Sequence, residues 1–191
     1  MEKKKSKKFL VSSKSEMAGK VKVSELKRLL KAKKEKEISS QIFNLEEKNF
    51  HVNHSGWKKK TDKREITYLE NPGEDIWEYV SGVSEDLIGQ QLFTWSAAMR
   101  ETEKAGKRMP TDEEWNVLKD KKNFSFSLKK VFPGIRDLNS IFYSLGTETY
   151  FWSSSVSCSY GWARNLFSSY SIVYRCLRIQ GLGFSVRCLK D

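Results

Sequence analysis

Two capped helices in direct succession, followed only by short alternating stretches, set the narrowest limits on what this chain can fold into. The first reads LFTWSAAMRETEKAGKRMP. Trp95, Ala98, Met99 and Thr102 recur at i, i+3, i+4 and i+7, and Thr94 stands where an N-cap belongs. Gly106 sits where a helix C-terminus calls for a left-handed residue. The spacing predicts a helix over 94–105. Arg108 and Met109 form an extended link into Pro110, and TDEEWNVLKD predicts a second helix over 111–119. Thr111 is its N-cap and Glu114 the reciprocal capping-box partner, while the acidic run 112–114 complements the helix dipole. Trp115 and Leu118 form its buried face. After Gly134 the texture is strands and turns: TYFWSSS alternates apolar and polar residues, and GFSVRCLKD places Phe184, Val186 and Cys188 on one face. Helices first and a β-rich, loop-rich half second predict an α+β fold, not a βαβ one.

The net charge of +11 has an address. Residues 1–36 hold 14 Lys and Arg against 4 Glu, and the remaining 155 residues hold 21 basic against 20 acidic side chains. The basic character therefore belongs to an N-terminal arm, residues 1–37. A solvated tail and an arm attracted to nucleic acid or another anionic surface both fit that composition. Leu26, Leu29 and Leu30 at i, i+3, i+4, with Ser24 as a cap, predict one short helix within it, able to dock on the domain or on a second copy. Phe9–Val11 is too short for the apolar core of a signal peptide, and no stretch has the apolar length of a membrane helix. The expected location is cytoplasmic or virion-associated, with no membrane insertion.

Residues 38–64 read as a connector with a possible short strand around Phe50–Val52. From Glu65, EITYLE predicts a strand and NPGED a turn. Cys158, Cys176 and Cys188 are an odd set without a C-x-x-C pair, which argues against a disulfide framework or a zinc site. His51 and His54 lack a Glu or Cys beside them and read as surface residues.

One segment has its own alphabet. Residues 65–155 contain 7 Lys and 10 Glu, whereas residues 156–182 contain neither. Those 27 residues carry five Ser and three Arg (Arg164, Arg175, Arg178), with Tyr, Cys, Ile and Leu. A buried β region also excludes charge, but burial does not favour Ser and Arg. Tyr, Ser and Arg together make the composition of a binding surface, rigid amphipathic contacts mixed with adaptable hydrogen bonds.

The ordered phrases FTWSAAMRETEKAGKRMPTDEEW, YFWSSS and GFSVRCLKD resemble C-type-lectin-fold domains of the formylglycine-generating-enzyme-like branch. More narrowly, the chain resembles the variable proteins of diversity-generating retroelements of prokaryotes and their viruses, over about residues 65–191. The resemblance implies a C-type lectin fold preceded by the basic arm. It also implies that a reverse transcriptase copies a template repeat, mutating adenines, into the 3′ part of the gene. AAC codons mutated at both adenines become NNC, which encodes Ser, Tyr, Cys, Arg, Ile and Leu but never Lys, Glu, Met, Gln or Trp. Residues 156–182 contain only Trp162 and Gln180 from the excluded set. Trp162 matches a fixed aromatic of the family pattern.

On this reading the displayed, variable, ligand-binding positions are Ser157, Cys158, Tyr160, Arg164, Asn165, Ser168, Tyr170, Ile172, Tyr174, Cys176, Leu177, Ile179 and Leu182. For Ile172, Leu177 and Ile179 taken singly, a place in the core is an equal alternative. Trp152, Trp162, Phe167, Phe184, Val186 and Cys188 are expected in the core, with Ser153–Ser155 satisfying turns and Gly183 in the closing strand. The ligand is expected to be a protein or cell-surface molecule, and an oligomer is possible. No enzyme activity, metal or cofactor is expected: no His follows His54, the calcium-lectin loop phrases are missing, and 156–182 has no Asp or Glu. The alternative is a nucleic-acid-binding protein acting through residues 1–36, with a lectin-like domain that is not diversified.

Overall fold

The computed structural model describes residues 23–42, 48–53, 55–71, 73–119 and 131–189. The chain divides at residue 35, so its first helix, α1 (Val23–Ile42), is described by itself. It runs for 20 residues and begins at Val23, so Ser24 lies inside the first turn and is not its cap. Leu26, Leu29 and Leu30 are all exposed.

The rest is α+β, with three antiparallel sheets among the described residues. The first sheet has the order β1 (Lys58–Thr61), β2 (Thr67–Asn71), β3 (Ile76–Ser81), β4 (Gln91–Phe93). The alternation in TYLEN and IWEYVS turns Tyr68, Trp77 and Tyr79 inward, where they meet Leu87, Leu92 and Phe142. The Tyr79 hydroxyl donates to the Pro133 carbonyl at 2.6 Å, and burial pushes its pKa well above the ordinary phenol value.

Both predicted helices form. In α2 (Trp95–Lys104) the Thr94 hydroxyl accepts from the Ala97 N–H. Its C-terminus closes on Gly106 at φ +65°, with Gly106 N–H reaching the Glu103 carbonyl and Lys107 N–H the Thr102 carbonyl. Those two bonds satisfy carbonyls that the helix leaves open. In α3 (Asp112–Lys119) the capping box is complete: Thr111 N–H donates to Glu114 Oε2 at 2.8 Å and Glu114 N–H to Thr111 Oγ1 at 3.2 Å. Trp115 and Leu118 are buried, as their spacing predicts.

A two-stranded sheet, β5 (Ile135–Arg136) with β6 (Phe142–Tyr143), leads to the third sheet. That sheet has the order β7 (Glu148–Ser157), β8 (Tyr160–Phe167), β9 (Val173–Ile179). The main core gathers Ile76, Phe93, Ala97, Ala98, Met109, Trp152, Ala163, Phe184, Val186 and Cys188. Trp152 donates its indole N–H to the Phe93 carbonyl at 2.8 Å and lies against Phe184, with ring centroids 4.3 Å apart.

Two expectations need correction. Residues 38–64 are more than a connector: β1 pairs with β2, and Phe50 is buried against Phe93 while its N–H donates to the Val186 carbonyl at 2.8 Å. The closing phrase is not a strand of any of the three sheets. It threads between them, bridging Arg136 at Gly183, Phe93 at Phe184, Phe151 at Ser185 and Arg108 at Leu189. His54, Pro72 and residues 120–130 lie outside the described residues.

Candidate functional site

The segment with its own alphabet is β8, β9 and the turns beside them. In an antiparallel pair, directly opposed residues share a face. The register therefore puts Tyr160 with Ile179, Trp162 with Leu177, Arg164 with Arg175 and Leu166 with Val173 on one side. Gly161 with Arg178, Ala163 with Cys176 and Asn165 with Tyr174 lie on the other. The first side meets α3, where Leu166, Phe151, Trp115 and Leu118 pack together. The second meets the main core through Ala163 and Cys176.

The middle of β8 is thus covered on both sides, and two expected surface positions are interior. Arg164 is 1% exposed and Asn165 3%. The reason lies 52 residues upstream: Arg164 Nη2 donates to the Asp112 carbonyl at 2.9 Å and to Asn116 Oδ1 at 3.0 Å, and ion-pairs with Asp112 Oδ1 at 2.8 Å. Asn165 donates to Glu148 Oε2, which also accepts from the Tyr150 hydroxyl. Cys176 and Leu182 are half-buried against the main core. Burial pushes the Cys176 thiol above its ordinary value, so it is a packing group. Gly161, inside the same segment, is also constrained: a Cβ there would stand 2.9 Å from both the Trp152 and the Trp95 rings.

The two ends of the strand pair are open. At one end Tyr160 and Ile179 are 46% and 47% exposed, beside exposed Val156 and the two-residue turn Cys158–Ser159. Ser157 is partly covered there, and Cys158 holds the left-handed conformation at φ 53°. At the other end Ser168, Tyr170, Ile172 and Tyr174 are exposed, and Phe167 receives Tyr170 and Tyr174 edge-on at 5.9 and 5.7 Å. Eight residues of β8 separate the two ends by ~23 Å at the usual strand rise. The expected site residues therefore do not form one patch. Tyr160, Leu177 and Ile179 come together at one end, and Ser168, Tyr170, Ile172 and Tyr174 at the other.

Trp162 and Phe167, expected in the core, are only half-buried. Trp162 supports an arrangement that the sequence reading missed. The exposed Arg175 lies over its ring, 3.3 Å from the centroid, and donates through Nε and Nη2 to both carboxylate oxygens of Asp112 at 2.9–3.0 Å. Burial alone would raise the Asp112 pKa. The hydrogen bonds and charges of Arg175 and Arg164 outweigh it and hold the carboxyl below its ordinary range. Asp112 was visible in the sequence only as a first-turn acid of α3. Its second role needs β8 and β9 in place.

The outer strands of the two larger sheets differ. β1 carries Lys58, Lys59 and Lys60, all exposed, which discourage edge-to-edge pairing. β9 has no Lys along Val173–Ile179 and presents Tyr174 and Ile179 to solvent. Its charges are two guanidinium groups, the exposed Arg175 and the half-buried Arg178. Asp112, beside it, is already engaged by two guanidinium groups. Among the described residues no group of His, Cys, Asp and Glu is placed to hold a metal ion. No protein-family model, curated protein or solved structure matches the chain.

Proposed function

We propose that the protein is a receptor-type binder of C-type lectin fold whose segment 156–182 is diversified by a retroelement and takes a protein ligand. One observation carries the reading. Among the described residues outside α1, eight large apolar side chains are exposed, and six of them belong to this segment: Val156, Tyr160, Tyr170, Ile172, Tyr174 and Ile179. They form two exposed apolar groups, one at each end of the β8–β9 pair, of the kind that marks interaction sites, and Tyr-rich surfaces suit protein partners. The alphabet is the second support. Every one of those six residues is encodable by an NNC codon, and Lys, Glu and Met do not occur between 156 and 182.

Diversification is compatible with folding only where side chains are not engaged. The variable set is therefore narrower than the alphabet: Tyr160, Ser168, Tyr170, Ile172, Tyr174 and Ile179 vary, while Gly161, Ala163, Arg164, Asn165 and Leu166 hold. The lectin fold is supported by two capped helices set in sequence between a four-stranded antiparallel sheet and the β7–β9 sheet, and by the hydrogen bond from the Phe50 N–H to the Val186 carbonyl. The test is a library randomised at Tyr160, Tyr170, Ile172, Tyr174 and Ile179 with the five fixed positions untouched. Most members should melt near the parent temperature, and loss of folding in most of them sinks the proposal. At the gene, a reverse transcriptase and a near-copy of codons 150–190 differing at adenines are expected beside it.

A further inference from the structure

We propose that the pocket enclosed by residues 48–51, the turn leading into β4 and Arg187 binds a small organic anion, a carboxylate or phosphate monoester on an apolar body. Its volume is about 360 Å³, within the range of small-molecule sites. Stretches far apart in the chain meet there, and side-chain amides fix their spacing. Gln91 Nε2 donates to the Val52 carbonyl at 2.9 Å, and Val52 N–H donates to Gln91 Oε1 at 2.8 Å. Asn49 Nδ2 donates to Gln90 Oε1 at 2.8 Å. The Phe50 N–H holds the same stretch to the Val186 carbonyl, one residue before Arg187. These ties shape the wall before any ligand arrives, which lowers the ordering cost of binding.

The lining sets the ligand's chemistry. Lys48 and Arg187 are cations, and no Asp or Glu lines the pocket. Glu78, outside the lining, stands 3.1 Å from His51 Nε2 and accepts from Gln91 Nε2 at 2.7 Å. Arg187 is only 4% exposed, its guanidinium carbon 5.4 Å from the centre of the Phe151 ring. A guanidinium carries five N–H donors in one plane, a fork suited to two oxygens of a carboxylate or phosphate. Phe50 and Val131 add apolar wall that a bare inorganic ion would leave unused. None of the lining residues falls between 156 and 182. The site is therefore independent of the proposed variable surface and stays the same while that surface changes.

The experiment titrates the full chain with phenyl phosphate, benzoate, inorganic phosphate and neutral benzyl alcohol, following binding heat and melting temperature. Phenyl phosphate or benzoate at millimolar concentration should bind and raise the melting temperature, and the tighter of the two identifies the headgroup. Inorganic phosphate should bind about tenfold more weakly than that probe, for want of apolar burial, and benzyl alcohol should not bind. Lys48→Gln, at an exposed position, should weaken the tighter probe about tenfold, the usual worth of one charge-assisted hydrogen bond, and leave the unliganded melting temperature unchanged. Arg187→Lys keeps the charge and loses the fork, and should weaken binding by a similar factor. Should that buried substitution impair folding, the Lys48 variant and the neutral probe still decide. The proposal is overturned if neither organic anion binds. It is also overturned if Lys48→Gln binds like the parent, or if inorganic phosphate or benzyl alcohol matches the organic anions.

Discussion

Tyr160 and Arg164 stand four residues apart on one strand and face the same side of the sheet, yet one is half in solvent and the other is sealed. Both are drawn from the same restricted alphabet. The difference is what lies above them. The N-terminal turn of α3 covers Arg164 and offers it a carboxylate, a carbonyl and an amide oxygen, while nothing among the described residues covers Tyr160 to that degree. Membership in the segment is thus a statement about composition. Freedom to vary is a statement about cover.

The largest expected effect tests the covered end. Arg164→Ser keeps to the alphabet but strips Asp112 of its buried partner, and should cost roughly 3–5 kcal/mol in urea unfolding. A cost below about 1 kcal/mol would make the two ends equivalent and dissolve the contrast. The same anchor gives it a pH dependence. Because the folded Asp112 pKa is depressed, its contribution to stability is fully present above the unfolded value of about 3.9 and is lost as pH falls through the lower folded value. Parent stability should therefore decline below about pH 4. Asp112→Asn should start lower at neutral pH and decline less, since Glu70, Glu101 and Glu114 are depressed too and remain. Parallel curves for the two proteins would remove Asp112 from the account.

A smaller cost is expected at Gly161, next to Tyr160 but facing inward. Gly161→Ser pushes a Cβ into the Trp152 and Trp95 rings and should destabilise by about 1–3 kcal/mol. Melting unchanged by that substitution would mean the rings yield, and the fixed set would shrink. At the turn the sign reverses: Cys158→Gly removes the penalty of a left-handed non-glycine residue and should stabilise by up to about 1 kcal/mol. Smallest of all, Tyr160→Ser and Ile179→Ser should each change stability by no more than about 0.5 kcal/mol. Shifts of several kcal/mol at either would show that these exposed side chains belong to the packing.

What could be read in advance was local. The Thr94 cap, the Thr111–Glu114 box and the Gly106 terminus each join residues a few positions apart, so spacing alone implies the contact. Trp152, Phe184, Val186 and Cys188 were legible because a strongly apolar phrase in alternation has one inward face. Phe50 was missed because its partners, Phe93 and Val186, are far along the chain and its flanks read as polar connector. Trp162 was expected in the core because it matches a fixed aromatic of the family pattern. Its actual neighbour is a guanidinium from β9 that covers it only partly.

By itself the sequence determined where α2 and α3 begin and end, that the basic charge is gathered in one arm, and that one segment excludes Lys and Glu. It also determined, through the period of two, that residues 160, 162, 164 and 166 share a side. Only the tertiary structure decided which of those four meets solvent. Alternation sorts side chains into two faces but does not say what covers either face. That cover comes from α3 and from the main core, and its contacts with β8 span tens of residues, as Arg164 to Asp112 spans 52.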